Sequence, residues 1–300
     1  MTIDVNFLDV GQGDTTIIVL PDKQSAIVVD CFTNAAQEFI EINRINSVPF
    51  TILTHSDYDH CSHIVSLIQN HLDTTFVFSP DSLKLIQDHT EQRKILRRLA
   101  KLIEKHDLQI LGAIAGTSIG LQDVQIDVLH PSEADMIVAL SKGKTGNTND
   151  ASTLLRVTYA DKRVLLTGDL GKKGWAAVVK RGVDLSADIL KFPHHGAYFK
   201  ATGNGSLQSI LNAINPVFAA ISVGTKNTYN HPRNEVLAIL DAQKIHYRCT
   251  QATPNCYPGL VVSEQLKCAG TMGVQISETG ITTSFDNPVG VCGRVTAKYL

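Results

Sequence analysis

Apolar residues fall in short, regularly punctuated blocks along the chain. Ile3, Val5 and Phe7 alternate with polar neighbours, and residues 15–20 and 26–30 form further apolar runs set off by Gly11, Gly13 and Pro21-Asp22. This pattern predicts a meander of strands. A helix is allowed over 35–46, followed by a strand at 50–54 that stops at His55, a polar turn, and a helix from about 61 to 69. Residues 75–78 read as a strand, and 82–106 as the longest helix because Leu85, Leu96, Leu99, Leu102 and Ile103 recur at helical spacing. Its basic residues Arg93, Lys94, Arg97, Arg98 and Lys101 read first as a solvated face and, as the alternative, as a phosphate-backbone contact. A strand at 121–129, a short helix at 133–140 and a polar connection over 141–152 lead to strands at 153–159 and 163–167. Helices at 172–181, 206–214 and 232–242 then alternate with strands at 187–192, 217–223 and 245–249, which implies sheets covered by helices. The tail from 253 to 300 has no helical period and reads as short strands added to a sheet edge. The expected division is therefore a main domain over 1–252 and a β-rich extension over 253–300 packed on it.

Composition narrows the function classes. With 43% hydrophobic and 19% charged residues in 300, the chain is neither disordered nor fibrous. Lys plus Arg total 27 against 29 for Asp plus Glu, so there is no global field to gather a polyanion and any nucleic-acid contact must be local. The first ten residues carry Asp4 and Asp9 and no apolar leader follows, so neither a signal peptide nor membrane insertion is expected, and a cytoplasmic location is the default. Six cysteines without a CxxC pair read as ordinary thiols, not as a disulfide or zinc framework.

The chemistry sits where apolar strands end. His55, Asp57, Asp59 and His60 place two imidazoles and two carboxylates within six residues. Alternate residues of an extended turn aim His55 and Asp57 at one point, while Asp59 and His60 diverge toward a second, so the segment can serve two metal ions; its ligand types suit Zn²⁺ and Mn²⁺. LLTGDL at 165–170 and KFPHHG at 191–196 end apolar runs in the same way and bring Asp169, His194 and His195 to that edge. Asp169 is the natural bridge, since one carboxylate can hold two cations about 4 Å apart.

In FLDVGQGD (7–14), VVDC (28–31), THSDYDH (54–60), NDAS (149–152), LLTGD (165–169), PHHG (193–196) and ISVGTKNTYNHP (221–232), the chain resembles the metallo-β-lactamase fold superfamily. Within it, the chain resembles specifically the soluble hydrolase-like domain of the ComEC/Rec2 DNA-uptake proteins. The resemblance implies an α/β fold, an αβ/βα four-layer sandwich with its metal site between the edges of two central sheets. It also implies that His55 and Asp57 hold a first metal, Asp59 and His60 a second, that Asp169 bridges both, and that a PHHG histidine, His194 by preference, completes the second site. His195 then faces metal or substrate. The usual pattern has histidine at Asp57 and a further ligand histidine in a Gly-His-Thr turn; this chain has Gly146-Asn147-Thr148-Asn149-Asp150 there. Asn149, Asp150 or the rival His130 are therefore open as the missing ligand. Asp9, Gln12 and Asp14 are expected to support the site from behind, Asp9 through a ligand histidine.

The function expected from these residues is metal-dependent phosphodiester hydrolysis, on DNA first and on RNA or a cyclic nucleotide next, with two divalent ions as cofactors. Asp59 and Asp169 orient the water, and His231 protonates the leaving oxygen. Lys226, Asn227 and Lys142 are the candidate phosphate contacts. A lactam, ester or thioester hydrolase and a noncatalytic metal-binding scaffold are the competing readings, and a homo-oligomer or an operon-encoded protein partner is left open.

Overall fold

The computed structural model describes residues 1–78, 90–141, 147–257, 260 and 265–288. Two twisted sheets lie face to face. The first has eight strands in the order β15-β14-β1-β2-β3-β4-β5-β6, and the second has seven in the order β13-β12-β11-β10-β9-β8-β7. Thr2–Phe7 (β1), Thr16–Val19 (β2) and Ser25–Val29 (β3) form the antiparallel meander, followed by Ala35–Ile42 (α1) and Ser47–Leu53 (β4). Next come the short turn Tyr58–Cys61 (α2), Ile64–Asn70 (α3), Thr75–Phe78 (β5), Thr90–His106 (α4) and Ile110–Gly112 (β6). Ser118–Leu121 (β7), Val124–His130 (β8), Glu133–Ser141 (α5), Leu154–Tyr159 (β9) and Lys162–Leu166 (β10) open the second sheet. Lys172–Lys180 (α6), Ile189–Lys191 (β11), Leu207–Ile214 (α7), Phe218–Ile221 (β12), Asn234–Ala242 (α8) and His246–Cys249 (β13) complete it. Met272–Ser277 (β14) and Gly280–Phe285 (β15) then form a hairpin on the first.

Strand alternation builds the layers. On β10, Val164 and Leu166 face the core between the sheets, where they meet Ile3, Val5 and Phe7 of β1; Leu165 faces outward onto Trp175 and Val178 of α6. A third core packs Ile17 and Val19 of β2 against Ile40 of α1, Ile64 and Ile68 of α3, and Leu99 and Leu102 of α4. Three cores separate four layers, αβ/βα, which is the fold implied by the resemblance. Parallel strands β3 to β6 and β10 to β13 are crossed over by these helices, so their C-terminal ends collect on one edge of each sheet.

Several expected boundaries shift. The strand at 121–129 is instead a hairpin, β7–β8, turning on Gln122 and Asp123, both left-handed at φ 52° and 64°. The helix expected at 61–69 breaks into α2 and α3. Pro232 stands before its helix, since α8 starts at Asn234 with Arg233 as its cap. β14 pairs antiparallel with β1, so β14 and β15 extend the first sheet, whereas Cys256 and Cys268 pack in the core of the second. The five basic side chains of α4 are exposed, as a solvated face requires. Of the expected long helix, residues 82–89 lie outside the described residues, as does Lys142. Among the described residues, no helix is long and apolar enough to cross a membrane.

Candidate metal centre

Strand ends from both sheets converge on Asp169. It follows β10 in the turn Thr167-Gly168-Asp169, and Gly168 is required there: its φ is +45°, and a Cβ would collide with the Ser152 hydroxyl and the Thr54 side chain. The Asp169 amide donates to Ser152 Oγ at 3.1 Å, which fixes a carboxylate that is 2% exposed.

One carboxylate oxygen, Oδ1, faces His60 Nε2 at 3.3 Å and His195 Nε2 at 3.7 Å. His195 Nε2 is also 3.4 Å from Asp59 Oδ2. Asp59, His60, Asp169 and His195 each offer a ligand atom, and these four atoms lie within 4.8 Å of one another. The other oxygen, Oδ2, faces His194 Nε2 at 3.6 Å and His55 Nε2 at 3.9 Å, and His55 Nε2 is 3.6 Å from Asp57 Oδ2. The Nε2 atoms of His55, His60 and His195 and Asp169 Oδ1 are buried without a hydrogen-bond partner. Orphaned buried donors and acceptors that converge on one place are costly unless a cation joins them, and imidazole plus carboxylate is the ligand chemistry of Zn²⁺ or Mn²⁺.

The other faces of these rings are held by the fold. Asp30, at the end of β3, accepts from Thr54 N and Thr54 Oγ1 and stands 2.7 Å from His60 Nδ1, leaving Nε2 to point at Asp169. His195 Nδ1 meets the Ser222 carbonyl at 3.0 Å. His55 Nδ1 faces Thr54 Oγ1 at 3.1 Å, and Thr148 Oγ1 donates to Asp57 Oδ1 at 2.7 Å. The backbone locks the loop too, since Asp14 N donates to Asp59 O and Cys31 N to His60 O. His194 and His195 are both left-handed, at φ 50° and 55°, a conformation that costs a non-glycine residue about 1–3 kcal/mol and is kept where the surroundings enforce it. Gly196 after them, at φ +85°, backs onto Pro232 with no room for a Cβ.

Charge follows from this packing. Burial would raise the Asp169 pKa, but His195 and His60 outweigh it and hold the carboxyl well below its usual range. Burial likewise opposes, and His195 and His60 overcome, a shift that brings Asp59 down to about 2. His60 is raised well above the ordinary histidine value, because Asp169 and Asp30 overcome its burial, and His195 is raised for the same reason by Asp169 and Asp59. His194 goes the other way, lowered chiefly by burial.

Sequence reasoning placed some residues elsewhere. Asp9 accepts from Gln251 Nε2 and the Gly11 amide and touches no histidine; Asp30 is the carboxylate that does, and its signal was another apolar strand ending in Asp. Asp14 pairs with Lys191, at 2.6 Å and with both side chains buried, and its amide donates to Asp59 O, while Gln12 Oε1 accepts from Gly224 N. Lys191, a lone lysine inside the apolar run ILKFP, was missed. His130 is turned into the fold, Nε2 on the Asp150 carbonyl at 2.9 Å and Nδ1 3.3 Å from both Asp135 and Arg181, so neither nitrogen faces Asp169. Asp150 Oδ1 caps the Lys173 amide, whereas Asn149 does reach the centre, its amide nitrogen 3.4 Å from both His194 ring nitrogens. Asn227 is engaged by the backbone: its amide donates to the Gly224 and His231 carbonyls and its oxygen accepts from His231 N. Lys226 is exposed. His231, 6% exposed, stands between Tyr229 and His194 with its ring centre 5.6 Å from each, and burial lowers its pKa to about 4. A cavity of about 340 Å³ opens beside His194, with Leu170, Pro193, Phe199, Tyr198, Lys172 and Lys173 among its lining residues.

Comparison with known proteins points to the same fold. The model of the family described as metallo-beta-lactamase superfamily matches residues 8–200. Among curated proteins, the chain is similar to ComE operon protein 3 of Bacillus subtilis (25% identical over 268 residues, 81% of this chain and 31% of that protein). It is also similar to Competence protein ComA of Neisseria gonorrhoeae (34% over 114 residues, 38% of this chain and 14% of that protein). The chain thus spans a third or less of the length of either relative, and both support the ComEC/Rec2 branch. Among solved structures, CmlA, a diiron β-hydroxylase from Streptomyces venezuelae, shares the fold at TM-score 0.50 and 11% identity, covering 82% of this chain and 52% of that one.

Proposed function

The chain belongs to the metallo-β-lactamase superfamily, and from that premise we propose that it is a phosphodiesterase acting on DNA with a pair of divalent ions, Zn²⁺ or Mn²⁺, bridged by Asp169. One observation carries the reading: a buried carboxylate whose two oxygens face different imidazole Nε2 atoms, with orphaned nitrogens at the meeting point. His55, Asp57, Asp59, His60, Asp169, His194 and His195 would hold the cations, which would supply an activated water and charge neutralisation at phosphorus. Asp59, whose side chain is 32% exposed, sits at the mouth of the cluster and orients the attacking water. His231 forms the opposite wall; with its pKa near 4 it is neutral at pH 7 and suited to hydrogen-bond the leaving oxygen. The cavity beside His194 is lined by Leu170, Pro193 and Phe199, which suit a base or sugar, and by two lysines for the flanking phosphate.

DNA is favoured over RNA or a cyclic nucleotide by the ComEC/Rec2 likeness. The apolar lining also suits a lactam, ester or thioester substrate, which is the second reading. Metal-free protein loaded with Mn²⁺ or Zn²⁺ should cleave single-stranded DNA and bis(p-nitrophenyl) phosphate, and chelation should abolish cleavage. Turnover of a neutral ester or lactam in the absence of any phosphodiester cleavage would replace the first reading with the second.

A further inference from the structure

We infer that the two adjacent histidines are divided between the two ions: His195 belongs with Asp59 and His60, and His194 with His55 and Asp57. The inference rests on the two-metal reading of the site and assigns its donors.

The carboxylate of Asp169 sorts them. Each of its oxygens faces two imidazole Nε2 atoms, Oδ1 those of His60 and His195, and Oδ2 those of His55 and His194. Asp59 stands against His195 and Asp57 against His55, so each side holds two imidazoles and a carboxylate besides the shared bridge. Consecutive residues would normally be poor partners for two separate centres only a carboxylate's width apart. The paired left-handed conformations at His194 and His195 solve this, turning the rings to an interplanar angle of 76° with centroids 6.3 Å apart. Asn149, standing where a ligand histidine would be expected from the family pattern, lies equidistant from both nitrogens of His194 and so is aimed along neither lone pair. It packs the ring, whose Nε2 stands 3.6 Å from Oδ2. Thr148 takes Asp57 Oδ1 and leaves Oδ2 for the same point.

The two sides are built differently. On the Oδ1 side both imidazoles, His60 and His195, are buried and braced, whereas on the Oδ2 side His55 is buried but the His194 side chain is 36% exposed; the two carboxylates, Asp59 and Asp57, are exposed alike. Two equivalents of unequal affinity follow. The test is titration of metal-free protein with Co²⁺ alone, read by visible absorption and by elemental analysis after gel filtration, on wild type, His194→Asn, His195→Asn and His55→Asn. Asparagine keeps the left-handed backbone accessible, and His194→Gly replaces His194→Asn should that variant melt early. Loss of a ligand should weaken its own ion by about tenfold or more. His195→Asn should remove the tighter equivalent; His194→Asn and His55→Asn should each leave it within about twofold of wild type and weaken the other. Unchanged affinity for both equivalents in folded His194→Asn, or loss of the tighter one, overturns the assignment. Because no substrate is present, partition of the ions as stated with no phosphodiester cleavage would sink the proposed function alone.

Discussion

The two sides of Asp169 differ in what stands behind them. Behind Oδ1 the supports come from strand ends and the sheet interior: Asp30 under His60, the Ser222 carbonyl under His195, and the buried Lys191–Asp14 pair that ties the first-turn loop to β11. Behind Oδ2 they come from Thr54 and Ser152 beside His55, and from Thr148 and Asn149 of the loop at 147–152 against Asp57 and His194. A buried carboxylate and a strand-end carbonyl brace the imidazoles of one half, and short polar side chains hold the other. The contrast teaches that a symmetric bridging ligand does not imply symmetric sites.

Removing the bridge should erase the contrast altogether. Asp169→Asn keeps the shape but loses the charge shared by both sides, so phosphodiester turnover is expected to fall by about a thousandfold or more, with both metal equivalents weakened. Folded Asp169→Asn with near-wild-type kinetics would end the bridging assignment. Lys191→Met strips one partner from a buried ion pair and should destabilise the protein by about 3–5 kcal/mol. Urea unfolding of metal-free protein would show it, and a midpoint equal to wild type would mean that the pair contributes nothing. Asp30→Asn should lower affinity for the tighter ion by about 10–100-fold and for the weaker one less, through Thr54 beside His55; equal losses at both would refute the division of supports.

Proton linkage sharpens the comparison with opposite signs. His60 and His195 have raised pKa values in the folded metal-free protein, so the stability they contribute is full below the ordinary histidine value near 6.5 and is lost as pH rises through their folded values. His194 is lowered, so its contribution is lost as pH falls below 6.5. Asp59 and Asp169 are lowered and lose theirs in strong acid, below the usual carboxylate range. Metal-free protein should therefore melt a few degrees lower, about 2–4 °C per kcal/mol, at pH 9 than at pH 6. His195→Asn should flatten that limb and His194→Asn should not; an alkaline limb unaffected by His195→Asn would show that the charge lies elsewhere. The smallest change is expected from Thr148→Val, which removes a hydrogen bond to a half-exposed carboxylate and should cost the weaker ion about 1 kcal/mol, or roughly fivefold.

Much of this was readable along the chain because strand ends announce themselves locally: an apolar run stopped by His55, by Gly168-Asp169 or by Pro193-His194-His195 requires no knowledge of the fold. Alternation on β10 likewise prescribes two buried faces, and hence layers on both sides of its sheet. Asp30 follows the same rule, but an Asp at the end of VVD resembles any turn acid until His60 is known to lie above it. Lys191 is illegible for the opposite reason, since a lysine in an apolar run reads as an interruption until the opposing sheet supplies Asp14.

Local order along the chain determined which donors exist, where strands stop, and that carboxylates and imidazoles meet at one edge, because periodicity and turn chemistry act over a few residues. Only the tertiary structure decided which donor faces which oxygen of Asp169, why Asp9 and His130 stand apart, and which of two neighbouring histidines goes to which side. Those choices depend on contacts between residues 30, 60, 149, 169 and 222, brought together by two sheets packing face to face, and on a backbone conformation at His194 and His195 that the packed edge imposes against local preference.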